Sequence, residues 1–355
     1  MAIPLARLKA DAIRRAFPKP ATLKTAIKRL GFIQADPIRS PARAQDLILR
    51  HRVNAYRAGD LERLYPKLDI EEDYLYAYGF LTRENWSLLH PRVTTDLSRF
   101  DRQVLQLVTQ KGLIHPRELE AHLGRDRALN AWGGYSKATT RSLQTLHFHG
   151  LLRIARREQG IRLYEAAPLP DADPLSAEDR LRRLVLLVCR ILAPMPLRGL
   201  TETLRLLRYS VRGLDVGRSV VAELIRDGEL DSADVEGIQY VWPAGRIGNY
   251  EAPAKVRFLA PFDPLVWDRR RFEHFWGWAY RFEAYTPERK RVRGYYAMPL
   301  LWRDQVIGWA NVRVAHGQID LQVGFQTGRP ASRDFENALD EEIERMRIFL
   351  GTVES

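Results

Sequence analysis

One order of patterns occurs twice in this chain, and it limits what the chain can fold into. Phe100 to Gln110 and Pro116 to Leu123 have the apolar spacing of helices, and Ser136 to His149 adds a third. The run L-L-R-I-A-R-R-E-Q-G-I-R-L-Y-E-A then reads as two strands about a Gln159-Gly160 turn. After Pro168 to Pro174, a linker rich in proline and aspartate, the order returns. Ser176, with Asp179 three residues on, opens a helix through Leu192. P-L-R-G-L-T-E-T-L-R-L-L is the second helix, Gly217 to Asp227 the third, and Ile238 to Trp242 a shorter closing strand. Three helices closed by a β-wing are the layout of a winged helix.

The N-terminal segment is read as a third such unit, partly by analogy with the other two. Leu5 to Phe17 and Thr22 to Leu30 have helical spacing, are separated by Pro18 and Pro20, and lead to a helix expected over Ser40 to Val53. Tyr56 to Phe80 is aromatic-rich. It holds an acidic turn at Glu71, Glu72 and Asp73, and its tyrosines suit either stacking on bases or packing as a lid. From Lys255 the character changes to strands. Tyr280 to Tyr285, Gly294 to Trp302, Val306 to Val314 and Ile319 to Phe325 alternate or run apolar, with tight turns at Arg303-Asp304 and His316-Gly317. Ser332 to Leu350 is an acidic amphipathic helix. The expected fold is therefore α+β: three tandem winged-helix units over 1–95, 96–170 and 171–250, then a small antiparallel β-barrel with a terminal helix over 251–355.

The 355 residues suffice for two to four ordinary cores, and 45% apolar with 28% charged residues are those of a soluble globular protein. No apolar run approaches the roughly 20 residues that span a bilayer, and the N-terminus lacks a signal-peptide core. The single cysteine, Cys189, excludes an internal disulfide framework. It lies within L-V-L-L-V-C-R-I-L, where a buried structural thiol is expected, and one cysteine suits a reducing cytoplasm. The formal charge of +12 points to a polyanion. Its distribution is sharper: residues 1 to 60 hold 13 Lys and Arg against 4 Asp and no Glu, whereas residues 334 to 355 hold 7 acids against 2 arginines. A solvated basic face on a protein with other business is the competing reading.

The basic end contains G-F-I-Q-A-D-P-I-R-S-P-A-R-A-Q-D-L-I-L-R-H-R-V, Gly31 to Val53. Lys28, Arg29 and Gly31 read as a helix end, Phe32 to Asp36 as a strand that puts Gln34 and Asp36 on one face, and Ser40-Pro41 as the cap of the next helix. An amide and a carboxylate then project side by side between two basic helices, a place to hold a water beside an anionic polymer. As a bare motif Gln-x-Asp is weak. An Asx-type turn at Asp36 before Pro37, with Gln34 merely exposed, is the structural alternative. A second basic patch joins W-D-R-R-R to P-E-R-K-R-V-R, with Trp276, Trp278 and Tyr280 interleaved. No phosphate-binding glycine loop, zinc-ligand spacing or recognisable serine triad is present, and His147-x-His149 has no third ligand near it in sequence.

Two blocks resemble the bacterial winged-helix DNA glycosylases of the AlkZ/YcaQ type, which unhook interstrand crosslinks. They are F-I-Q-A-D-P-I-R-S-P-A-R-A-Q-D-L-I-L-R, and L-A-P-F-D-P-L-V-W-D-R-R-R followed by Y-R-F-E-A-Y-T-P-E-R-K-R-V-R-G-Y-Y-A-M-P-L-L. The resemblance covers most of the chain. It implies three winged-helix units around a C-terminal barrel, catalysis by a Gln-x-Asp pair in the broader branch, here Gln34 and Asp36, and no metal or organic cofactor. The chain departs from the family's Trp-Ala-His-Glu run, having Tyr76-Ala77-Tyr78-Gly79, and its tryptophan cluster is reduced to Trp132-Gly-Gly-Tyr135.

The expectation is a monofunctional DNA glycosylase for alkylated purines, crosslinked ones included. It would act as a monomer on double-stranded DNA in the cytoplasm, associated with the nucleoid. Asp36 would stabilise charge and act as base, and Gln34 would position water. Arg39, Arg43, Arg50, Lys137, Arg141, Arg269, Arg270, Lys290, Arg291 and Arg293 would meet DNA. The alternative is a winged-helix DNA-binding regulator or chromatin protein without catalysis, since most winged helices serve that way.

Overall fold

A computed structural model of the chain describes residues 3–90, 92, 97–124, 126–129, 135–168, 175–207 and 218–352. The Trp132-Gly-Gly-Tyr135 cluster up to residue 134, most of the Pro168 to Pro174 linker, and Gly217 lie outside them. Two compact units divide the chain, both discontinuous: Met1–Leu61 with Leu184–Arg205 and Gly217–Ser355, and Glu62–Arg183 with Leu206–Val216. Helices and strands are mixed throughout, and no described helix is long and apolar enough to cross a membrane.

The first unit opens with helix Leu5–Ala16, whose Leu8, Ala12 and Ile13 recur at helical spacing and are fully buried. Thr22 caps helix Leu23–Leu30 by accepting the Thr25 N–H, and Gly31 ends it in the left-handed conformation at φ 72°. The strand that follows is shorter than expected, Phe32–Gln34, and Asp36 lies beyond it. The next helix is also shorter than the expected Ser40 to Val53. It runs Ala44–Leu49, because Arg43 keeps an extended backbone (φ −67°, ψ 153°) and so occupies the capping position assigned to Ser40. Helix Leu197–Leu207 and helix Arg218–Arg226 lead into strands Leu230–Val235 and Ile238–Pro243, with Met195–Pro196 as the third strand of that sheet. The sequence pattern predicts one strand there. L-D-S-A-D-V has poor strand propensity, yet Glu236 and Gly237, both at positive φ, turn it back on its partner. Cys189 is fully buried, and burial pushes its thiol up to about 12.

The C-terminal strands form one antiparallel sheet in the order Val256–Phe258, Met298–Trp302, Gln305–Ala315, Gln318–Phe325. It curls as a half-barrel rather than closing into the expected barrel. Tyr280 to Tyr285 is not a strand; Val256–Phe258 takes the edge instead. The two expected turns are present, with Arg303, His316 and Gly317 at positive φ. Helix Arg333–Leu350, capped by Ser332 and ended by Gly351, packs Phe335 against Trp302 and Phe325.

The second unit holds helix Arg99–Lys111, opened by a Ser98–Asp101 capping box, strand Leu113–Ile114, and helices Pro116–Leu123 and Ala138–Phe148. Hairpin Leu152–Glu158 with Ile161–Ala166 follows, turning at Gln159 and Gly160 as expected, and Leu113–Ile114 pairs with its second strand. The supposed acidic turn is a strand. Ile70–Tyr74 pairs with Tyr78–Thr82, and Glu71, Glu72 and Asp73 are each at most 2% exposed. Arginines explain this: Arg153 binds Glu71 at 2.8 Å, Arg157 binds Glu72, and Arg92 binds Asp73 at 3.0 Å. The tyrosines of that run mostly pack. Tyr76 is buried and Tyr78 donates to Glu72 at 2.8 Å, leaving Tyr74 half-exposed.

Candidate active site and its basic surroundings

Gln34 ends its strand half-buried, and its Oε1 is buried with no hydrogen-bond partner among the described residues. Leaving such an acceptor unpaired costs on the order of 1–3 kcal/mol, so its persistence asks for a use. Two residues on, Asp36 is half-buried and accepts the Ile38 N–H through Oδ1 at 2.9 Å. This is the Asx-type turn weighed above: Pro37 sits inside it, and the turn fixes the carboxylate rather than spending it. The second oxygen, Oδ2, has no hydrogen bond to protein among the described residues. Burial raises the Asp36 carboxyl above the usual range, and the Ile38 N–H only partly offsets this.

One residue that the sequence pattern does not mark out belongs here. Tyr296 is 2% exposed, and its hydroxyl is buried without a hydrogen-bond partner among the described residues. Burial, then the Asp36 charge, then Tyr280 push its phenol well above the ordinary value. It stands just past P-E-R-K-R-V-R in the second quoted block. The basic residues drew attention there, while a Tyr-Tyr pair is indistinguishable from core in a sequence.

The run that leads to Tyr296 is braced. Glu283 is buried and accepts the N–H groups of Val292, Arg293 and Gly294 at 2.8–3.2 Å, which holds its carboxyl below the usual range despite burial. Asn311 donates to the Arg293 carbonyl at 2.6 Å. The Arg293 guanidinium lies 4.8 Å from the Trp278 ring and 5.6 Å from the Trp309 ring. Gly324, opposite Trp309 in the sheet, leaves room for that ring: a Cβ there would come within 2.3 Å of it. Trp276, Trp278 and Tyr280, expected to be interleaved with surface cations, are all buried core.

The expected DNA-contacting cations separate into surface and interior. Arg39 and Lys290 are exposed, and Arg43 is partly so. Arg270 is exposed but binds both oxygens of Glu202 at 2.8 Å. In the second unit Arg141 is exposed and Lys137 holds Glu120 at 2.8 Å. Arg291 is partly exposed and donates to the Thr286 carbonyl at 2.9 Å. Arg50 is a correction: its side chain is 3% exposed and ion-paired with Glu342, so it holds the terminal helix in place and is closed to a phosphate. Arg269 is likewise turned inward, donating to the carbonyls of Val266 and Pro261 at 2.7 and 2.9 Å beneath Tyr280. Arg293 is wedged between tryptophans.

A family model described as DNA glycosylase AlkZ-like matches residues 27–349. Among solved structures, the Streptomyces sahachiroi DNA glycosylase AlkZ is similar over 99% of this chain and 98% of that one, with a TM-score of 0.66 and 14% sequence identity. At that identity the likeness is one of fold.

Proposed function

Since the chain belongs to the AlkZ-like DNA glycosylase family, we propose that it hydrolyses the N-glycosidic bond of N7-alkylated purines in duplex DNA, crosslinked ones included. The observation that carries this reading is the Gln34-x-Asp36 segment, where a buried amide oxygen with no hydrogen-bond partner among the described residues is followed two positions on by a half-buried carboxylate fixed by the Ile38 N–H. An N7-alkylpurine is already cationic. As the C1′–N9 bond breaks, its electrons neutralise the leaving base and positive charge develops on the sugar. Asp36 faces that charge and takes a proton from the water that bonds to C1′. Gln34 accepts from the same water through Oε1 and donates through its amide. Free alkylated base and an abasic site are the products.

The helix–hairpin segments are read as three winged-helix units over 1–95, 96–170 and 171–250 on a scaffold over 251–355, acting as a monomer in the cytoplasm. The test is incubation with duplex DNA carrying N7-alkylguanine and mass analysis for released base. Absence of free base from every alkylated duplex would overturn the reading.

Two further outcomes are expected. If about five to eight phosphates are neutralised, log K for duplex DNA falls against log salt with a slope of roughly −5 to −7; an affinity indifferent to salt would contradict the electrostatic footprint. The enzyme is also expected to leave the backbone intact, because no lysine lies beside Asp36 on the turn to form a Schiff base. Borohydride in the reaction should trap no covalent protein–DNA adduct, and a trapped adduct would refute monofunctional hydrolysis.

A further inference from the structure

A cleft of about 490 Å³ in the first unit lies among Phe17, Lys19, Tyr250, Lys255, Arg257 and Arg345, and no acidic side chain is among the residues that line it. We propose that this cleft is a binding site for a phosphate group carried by a nucleotide, with Arg257 as its principal ligand.

Charge accounting carries the argument. Arg50, Arg257 and Arg345 converge here on one carboxylate, Glu342. One of its oxygens takes Arg50 and the Phe258 N–H, and the other takes Arg345 at 2.9 Å. Glu342 is thus filled by other donors. Arg345 also approaches the exposed Glu341 at 3.5 Å, which leaves Arg257 as the cation without a counter-charge of its own. Its guanidinium makes no ion pair or hydrogen bond among the described residues, and its Nη1 is buried with no partner. The group is nonetheless held in place. It lies 4.7 Å from the centroid of the Phe17 ring, which also meets Arg52 at 4.8 Å, and Arg52 is itself satisfied by Asp263 at 2.8 and 3.0 Å.

A planar fork of donors, held over an aromatic ring and sharing the field of one internal carboxylate that is already filled by other donors, suits bidentate binding of a phosphate. Lys19 and Lys255, both exposed on the rim, add charge at the mouth. The volume exceeds what a bare anion needs and falls in the range of small-ligand pockets, and Tyr250 supplies a ring beside the phosphate position. Arg257 sits on strand Val256–Phe258, outside the Gln34–Asp36 turn, so the inference stands apart from the excision reading.

The site is tested by calorimetric titration of the full chain with three probes: inorganic phosphate, deoxyadenosine monophosphate, and a short single-stranded oligonucleotide. The nucleotide is expected to bind more tightly than phosphate. Arg257→Met should weaken nucleotide binding on the order of 10- to 100-fold. Lys255→Gln, at an exposed position that does not endanger folding, should weaken it about threefold or more, and sulfate should compete. Competition between oligonucleotide and nucleotide, lost in Arg257→Met, assigns the phosphate to a DNA strand. Nucleotide binding without such competition assigns it to a free nucleotide. Failure of all three probes to bind at millimolar concentration, or binding unchanged in both Arg257→Met and Lys255→Gln, overturns the proposal. None of these readouts uses base excision, so an inactive glycosylase would leave the result interpretable.

Discussion

Asp73→Ala is expected to destabilise the second unit by about 3–5 kcal/mol, the largest single-site stability effect predicted for this chain. The carboxylate is 2% exposed and accepts from Trp86 Nε1 at 3.0 Å, His90 Nε2 at 2.9 Å and Arg92 at 3.0 Å. Removing it takes the Asp73 carboxylate from the buried Arg92 guanidinium, which keeps the Phe148 and Tyr74 carbonyls, and takes the shared acceptor from two ring N–H groups, which is where the large cost of breaking a buried pair arises. Urea unfolding followed by a probe in that unit should show a lower midpoint at unchanged slope. A shift below about 0.5 kcal/mol would mean that Arg92 and His90 find other partners.

The same group sets an acid dependence. Burial tends to raise the Asp73 carboxyl, but the His90 hydrogen bond and the Arg92 charge outweigh it and hold the group at about 2. A carboxyl lower in the folded than in the unfolded chain stabilises fully above the unfolded value of about 3.9. That contribution, on the order of 2 kcal/mol, is lost as pH falls toward 2. Asp73→Asn should be less stable than the wild type at pH 7, and the gap between them should narrow below pH 4. A gap that stays constant down to pH 2 would separate Asp73 from acid unfolding.

This network also shows where a sequence stops being readable. E-E-D in a tyrosine-rich run looks like a solvated turn, because its neutralising arginines stand 82 and 85 residues away, at Arg153 and Arg157. Local rules succeeded where the determinant is local. Gly31, Ser332 and the Gln159-Gly160 turn each act through a hydrogen bond or a positive φ within a few residues, and each lies where the pattern put it. The strand at Tyr280 to Tyr285 failed for the opposite reason. Its alternation is genuine, but Glu283 is drawn to the N–H groups of 292–294, which makes the run a braced loop. Charge counting had a similar limit. Arg50 and Arg52 contribute to the basic balance of the first 60 residues, yet both are consumed inside by Glu342 and Asp263, so the outward field is weaker than the sequence suggests. At the candidate site Gln34 and Asp36 were legible as a pair. Tyr296 was not, since only the fold brings the end of a distant loop to that turn.

Asp36→Asn is expected to slow single-turnover base release on the order of 100- to 1000-fold, about 3–4 kcal/mol of transition-state stabilisation. The substitution keeps the size of the side chain and an oxygen that can accept the Ile38 N–H, so the Asx turn survives while the negative charge is lost. Affinity for lesion DNA should hold or rise slightly, since a carboxylate near phosphates is repulsive in the ground state. Gln34→Ala should cost less, because a water fixed by Asp36 alone can still attack. The pH profile gives a second, independent readout. Burial raises the Asp36 carboxyl, and the catalytic form is the ionised one, so the acid limb of the wild-type profile should lie above the ordinary carboxylate value of about 3.9. Asp36→Asn should flatten that limb. Excision within a factor of about three of the wild type would remove Asp36 from the mechanism. A parallel loss of binding and excision would instead mark it as a structural residue of the Pro37 turn.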